Sequence, residues 1–268
     1  MKERAAVVAG QFYPSDPDDL RRVIASFCKK PETVPEAMAV VVPHAGYVYS
    51  GPVAGGVFCS IRLPKRVILL GPNHTGRGAG LALSPPGSWR TPLGAVSVDA
   101  EMNRELLAEC PGLQEDASAH AREHSLEVQI PFIQALQPDF RFSAICVGTD
   151  DYAALETLGH GMARAIKSVR ESVLLVASSD MTHYETAEHA ARQDRFAIDQ
   201  ILKLDPQGLY QTVMDRDITM CGFAPTVAVI IACLDLGASE GRLIRYTNSG
   251  EASGDYRSVV GYAGLTIT

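Results

Sequence analysis

Three short apolar runs, each closed by turn-forming residues and each followed by a histidine, set the frame of this chain. Val67-Ile68-Leu69-Leu70 runs into Gly71-Pro72-Asn73-His74, Ala39-Val40-Val41-Val42 into Pro43-His44-Ala45-Gly46, and Val173-Leu174-Leu175-Val176-Ala177 into Ser178-Ser179-Asp180-Met181-Thr182-His183. Uninterrupted apolar runs of this length read as strands buried on both faces. Gly71-Pro72 reads as the stop of its strand. In open α/β sheets the carboxyl ends of such strands are where ligands bind, so three histidines at matching positions suggest one convergent site.

The rest of the pattern alternates helix and strand. Ser15 or Asp16 caps a helix with Pro17 in its first turn and an apolar stripe at Leu20, Val23, Ile24 and Phe27; residues 31–36 form a connector. Tyr47 to Gly51 continues the His44 loop, and Pro52 opens a helix of small residues reaching about Ile61. Leu81–Leu83 and Val96–Val98 read as short strands. The Pro- and Gly-rich stretch 84–94 around the single tryptophan, Trp89, reads as an excursion over the sheet edge or an ordinary surface loop. Asp99 caps a helix to about Glu109, and Ser125 caps one carrying Leu126, Ile130, Ile133 and Leu136, kinked early by Pro131. A strand at Phe142–Val147 follows, then helices at 152–170, 187–202, 206–215 and 226–236, with closing strands at 242–246 and 259–267. The expected architecture is a single-domain α/β sandwich over residues 1–268, with a mostly parallel or mixed central sheet covered by helices.

Composition changes this picture little. With 46% hydrophobic and 21% charged residues, the chain has ample core. A net charge of -7 argues against a nucleic-acid surface. No apolar run approaches the roughly 18 residues of a membrane span, and the start lacks a signal-peptide core, so a cytoplasmic protein is expected. The six cysteines show no CxxC pair or disulfide framework, and most should be thiols there, with Cys59, Cys146 and Cys233 as small core residues. There is no Walker-type loop and no GxSxG elbow; Gly76-Arg77-Gly78-Ala79-Gly80 reads as a flexible turn.

The chemistry rests on a few side chains. His44 and His74 can approach a common metal, with Asp180, His183, Cys221 or, less well placed, Glu127 as the third ligand. A carboxylate would complete a face typical of non-haem iron(II); a thiolate shifts preference toward zinc or copper(I) without excluding iron. Bland alternatives stand beside each residue. His124 can simply pair with Glu123, Asp180 can cap a turn beside Thr182, and Cys221 can be a buried thiol. His160 and His189 read as surface or packing residues, and His120 is undecided.

Several motifs in order resemble the Memo family, which includes the microbial AmmeMemoRadiSam system protein B members. They are Val42-Pro43-His44-Ala45-Gly46-Tyr47-Val48-Tyr49-Ser50-Gly51, Gly71-Pro72-Asn73-His74, Glu123-His124-Ser125-Leu126-Glu127-Val128-Gln129, Ser178-Ser179-Asp180-Met181-Thr182-His183-Tyr184 and Met220-Cys221-Gly222. The resemblance implies a fold like that of the class III extradiol dioxygenases, non-haem iron enzymes. It implies His44, His74 and Cys221 as metal ligands, with Cys221 where those dioxygenases place a carboxylate. His183 then resembles their acid/base histidine, with Asp180 and His124 beside it. Iron(II) is the implied metal, with copper or zinc as alternatives. Two functions follow as expectations: a metal-dependent oxidoreductase on a small aromatic or related substrate, or a metal-binding or interaction module, taking a peptide or working beside a radical-SAM partner.

Overall fold

The computed structural model describes residues 2–28 and 34–268. Strand β1 (Lys2–Arg4) leads to helix α1 (Pro17–Phe27), where Asp16 accepts the backbone N–H groups of Asp18 and Asp19 as the sequence suggests. The expected connector at 31–36 lies partly outside the described residues. Strand β2 (Ala39–Val42) delivers His44, but helix α2 (Tyr47–Cys59) starts five residues before Pro52. Gly46 occupies its N-cap without a side-chain bond, so no Ser, Thr, Asp or Asn marks this start. Pro52 sits inside the helix, where it gives up one backbone donor.

Strand β3 (Arg66–Pro72) runs through the two residues expected to end it, Gly71 and Pro72 pairing in register with Cys146 and Val147. A proline at the last position of a strand gives up only a terminal N–H. Strand β4 (Leu81–Leu83) is followed by β5 (Gly87–Thr91), where a loop is expected, and it forms a hairpin with β6 (Gly94–Ser97), which overlaps the strand expected at 96–98. Strand β5 also pairs with β1 in parallel, making a separate three-stranded sheet that buries Trp89.

Helix α3 (Ala100–Glu109) is capped by Asp99. Strand β7 (Gln114–Glu115), the single-turn α4 (Ala117–His120), a 3₁₀ turn (Glu127–Gln129) and α5 (Ile130–Leu136) follow. Pro131 sits at the start of α5 rather than kinking a longer helix, and Ser125 is no cap, since its hydroxyl donates to the Pro72 carbonyl. Next come β8 (Arg141–Val147), α6 (Tyr152–Ser168), β9 (Val173–Ser178), β10 (His183–Glu185), α7 (Ala187–Leu202) and α8 (Pro206–Asp215). The chain finishes with α9 (Phe223–Asp235), β11 (Gly241–Asn248), α10 (Gly250–Ser253) and β12 (Val259–Ile267).

The main sheet is mixed, ordered β10-β12-β2-β9-β3-β8-β4-β7 with β11 on β12. Its centre, β2-β9-β3-β8, is parallel throughout. Side-chain alternation divides these strands between two cores. Val41, Ile68, Leu70 and Leu175 pack under α6, α8 and α9, whereas Val40, Val42, Leu69 and Val176 pack under α1, α2 and α5. Helices therefore cover both faces, and the fold is an α/β sandwich. Because β2, β9 and β3 are parallel neighbours, the residues following each emerge at one edge.

Cys28 and Cys59 are joined as a disulfide, which corrects the expectation of Cys59 as a simple core thiol. Cys110, Cys146 and Cys233 are buried thiols. Among the described residues no helix is long and apolar enough to cross a membrane.

Candidate metal centre at the strand ends

The edge formed by β2, β9 and β3 gathers His44, His74 and Cys221, whose ligand-type atoms all lie within 4.8 Å of one another. The fourth contributor is α9, which packs on β9. A Cβ on Gly222 would stand 2.3 Å from the Ser178 carbonyl and 2.4 Å from Ser179 Cβ, so only glycine lets the start of α9 approach the end of β9 this closely. That approach carries Cys221 Sγ to 3.3 Å from His44 Nε2.

Each histidine has its tautomer set by the partner of its other nitrogen. Ser178 Oγ–H donates to the Ser125 carbonyl at 2.7 Å, so it must accept from His44 Nδ1–H at 3.0 Å; it also accepts from Gln129 Nε2 at 2.8 Å. On this hydrogen-bond assignment the His44 Nε2 lone pair faces the cluster. The His74 ring donates from Nδ1 to Glu123 Oε1 at 2.9 Å, which likewise leaves Nε2 for the cluster.

Glu123 is fully buried and accepts three backbone N–H groups besides the ring, from His74 (2.7 Å), His124 (3.0 Å) and Ser125 (2.9 Å). Burial alone would raise its pKa, but His74 and the other donors outweigh it and hold the carboxyl at about 2. His74, Glu123 and His124 also stand within ligand distance of one another, yet both oxygens of Glu123 are committed to these donors. It orients His74 and has no oxygen left to offer the cluster.

His44 is buried, and its pKa is held well below the usual histidine range by burial, then by the neighbouring His74, His124 and His183. It stays neutral, as a metal-binding imidazole must be. Asp180 accepts the His44 backbone N–H at 2.8 Å, and burial pushes its carboxyl up to about 6. It does not cap a turn at Thr182, whose N–H goes to Asp194 instead. Burial and the nearby Asp180 raise the Cys221 thiol. A metal cation at the cluster would reverse that, since a coordinating thiol is deprotonated outright.

His183 stands at the start of β10 and donates from Nδ1 to the Thr219 carbonyl at 2.9 Å, leaving Nε2 as its proton-accepting atom. The following residue, Tyr184, has φ of 61° and is 79% exposed. His124 stacks on His74 at 4.7 Å between centroids and meets Phe12 at 4.8 Å. Glu127 lies elsewhere, contrary to its candidacy as a third ligand: it accepts from Arg4, Tyr13 and the backbone of Val7 and Val8, and so ties down the segment that carries Phe12. His160 pairs with Asp235 on the surface, and His120 is buried beneath Trp89.

Sequence reasoning missed Ser178, Gln129 and Glu123 as the residues that orient the two histidine rings. For Glu123 the only signal was its place beside His124, which pointed to the wrong histidine. The donor set passes a simple metal test. With metal–nitrogen and metal–sulfur bonds of about 2.1 and 2.3 Å, N···S spans roughly 3.1 Å at a right angle and 3.6 Å in a tetrahedron. The observed 3.3 Å falls between them. Both histidines present Nε2, and their other nitrogens are held.

Fold and site together define an α/β sandwich with a two-histidine, one-cysteine cluster at the carboxyl edge of its parallel strands. Residues 4–266 match the family described as Memo-like protein. The chain belongs to that family. It is 41% identical to a MEMO1 family protein of Methanopyrus kandleri, over 99% of each chain. It is 40% identical to one from Methanosarcina acetivorans over 100% of both chains, and 39% identical to one from Aquifex aeolicus over 99% of both. An uncharacterized Escherichia coli K12 protein of known structure shares the fold at 12% identity, with a TM-score of 0.53 over 84% of this chain and 98% of that one.

Proposed function

We propose that this protein is a non-haem metal protein with iron(II) at His44, His74 and Cys221, acting as an oxidoreductase on a small aromatic or related substrate. The observation that carries the reading is the convergence of two Nε2 atoms and one Sγ within 4.8 Å, each nitrogen fixed by a partner at its own Nδ1. The ion would supply redox and Lewis-acid chemistry. Ser178 and Glu123 keep the imidazoles aimed, and Asp180 holds the His44 backbone. His183, anchored on Thr219, takes or returns a proton at Nε2. Phe12 and His124 offer aromatic faces beside the cluster to a planar substrate.

The thiol supports a second reading. A sulfur ligand in place of a carboxylate favours softer ions such as zinc or copper(I), and suits a binding module that works beside a partner, a radical-SAM protein among them.

Anaerobic loading with iron(II), zinc or copper(I), followed by metal analysis, tests the shared centre. Cys221 should resist alkylation when loaded and react when stripped, and Cys221→Ser should lose most of the metal. If that variant keeps the affinity of the natural protein and alkylation ignores the metal, the centre is wrong. Oxygen uptake with a panel of catechols by the iron-loaded protein then separates the oxidoreductase from the module. No uptake by a fully loaded protein favours the module.

A further inference from the structure

Among the described residues three other than glycine hold a positive φ: Leu204 at 55°, Asp217 at 51° and Tyr184 at 61°. The first two directly follow Lys203 and Arg216, the C-caps of α7 and α8, where a left-handed residue is an ordinary way to end a helix. Tyr184 has no such reason. It lies inside β10, at a bulge where the pairing with β12 slips between His183 and Glu185. Left-handed bulge positions usually carry glycine, because a Cβ there costs free energy and a bulky side chain is a rare exception.

Burial does not offset that cost, since Tyr184 is 79% exposed. What the bulge achieves is direction. The Tyr184 ring stands beside that of His183, with centroids 5.8 Å apart and planes at 59°. It also reaches the surroundings of Asp180: burial, then Asp180, Tyr49 and Tyr184 raise the Tyr262 phenol, so these groups gather around one position. Extending the register in which Leu265 faces Val41 sets that position, residue 262, against His44. Bulges beside active sites re-aim side chains, and strained residues persist where their surroundings hold them for a task.

We propose that Tyr184 is a substrate-stacking residue at the mouth of the metal centre, offering the face of its ring to the aromatic ring of a substrate beside His183. The proposal rests on the aromatic-substrate reading above and adds to it a residue that selects a flat ring. An exposed phenol ring has a free face, and aromatic pairs gain from offset or edge-on contact beyond simple burial. The fold itself would be served as well or better by glycine at this bulge.

Anaerobic calorimetry of catechol binding to the zinc-loaded protein tests this without turnover. Tyr184→Phe keeps the ring and should bind catechol within about twofold of the natural protein. Tyr184→Gly removes it and should bind about fivefold more weakly, the size of one aromatic pair. The same variant relieves the left-handed strain, so its denaturant midpoint should equal or exceed that of the natural protein. The proposal is overturned if Tyr184→Gly binds catechol as tightly as the natural protein, or if Tyr184→Phe loses as much affinity as Tyr184→Gly. A clearly lower midpoint for Tyr184→Gly also overturns it, since the ring would then serve the fold. If the zinc-loaded natural protein binds no catechol, the aromatic-substrate reading falls and takes the proposal with it; if it binds, the variants judge Tyr184 alone.

Discussion

His44 and His74 present the same atom to the same cluster, but their supports differ in kind. Behind His44 stands a chain of neutral groups: Ser178 Oγ takes the ring proton and is itself held by Gln129 and the Ser125 carbonyl. Behind His74 stands one ionised carboxylate, Glu123, sealed from solvent and accepting four donors. A carboxylate raises the basicity of the imidazole it holds more than a hydroxyl can. His74 should therefore be the stronger electron donor, and His44 the one fixed mainly by shape. Two rings facing one cluster need not be equivalent parts: one arm depends on charge, the other on packing.

The largest effect should come from removing that charge and its acceptors together. Glu123→Ala leaves several buried donors without a partner and should destabilise the fold by about 3 kcal/mol or more, read as a lowered denaturant midpoint. Loss of under 1 kcal/mol would mean that water replaces the carboxylate freely and that the two arms are alike.

A direct comparison of metal affinity comes next. Glu123→Gln should weaken binding by about ten- to a hundredfold, and Ser178→Ala by no more than about tenfold. Equal losses would erase the distinction between charge and packing.

The arms should also respond to acid with opposite signs. Glu123 has its pKa depressed to about 2, so the stability it contributes is present above its usual value near 4.5 and is lost as pH falls through about 2. Asp180, behind the His44 backbone, is raised to about 6, so its contribution is present below its usual value near 3.8 and is lost as pH rises through about 6. Each window is on the order of 3 kcal/mol. Unfolding of the stripped protein between pH 2 and 7 should flatten in the lower window for Glu123→Gln and in the upper one for Asp180→Asn. Identical profiles would remove the opposition.

The smallest effect belongs to His183. With its Nδ1 spent on the Thr219 carbonyl, His183→Ala should leave metal affinity within about twofold while lowering any turnover. A loss matching that of His74→Ala would make it a ligand.

The parts of this fold that could be read from the chain were those whose signal is local. Val67–Leu70 and Val173–Ala177 are apolar at every position because both faces are covered, and that pattern survives without knowledge of neighbours. Parallel pairing then brings their trailing loops together, so His44 and His74 could be placed at one edge in advance. Residues whose partners are distant in sequence were not legible. Strand β5 looks like a loop because of Gly87 and the prolines before it, and its parallel partner is the first strand of the chain. Glu123 serves a histidine 49 positions earlier, although its nearest histidine is the next residue. Cys221 stood among four candidate third ligands, and only the family resemblance singled it out: a lone cysteine before a glycine has no periodicity, and the close approach that Gly222 permits is visible only in three dimensions.

The spacing of the cluster has a consequence for how the chain matures. Its members lie 30 and 147 positions apart, so a growing polypeptide has no complete binding site until residue 221 has been made and the start of α9 has docked on β9. Contacts this far apart in sequence are the slow ones to form. An ion held there would consequently be a late acquisition, joined to a nearly finished molecule rather than nucleating it. Once in place it would bridge the loops after β2 and β3 and the start of α9, and at a thousandfold excess over its dissociation constant it would add about 4 kcal/mol against unfolding.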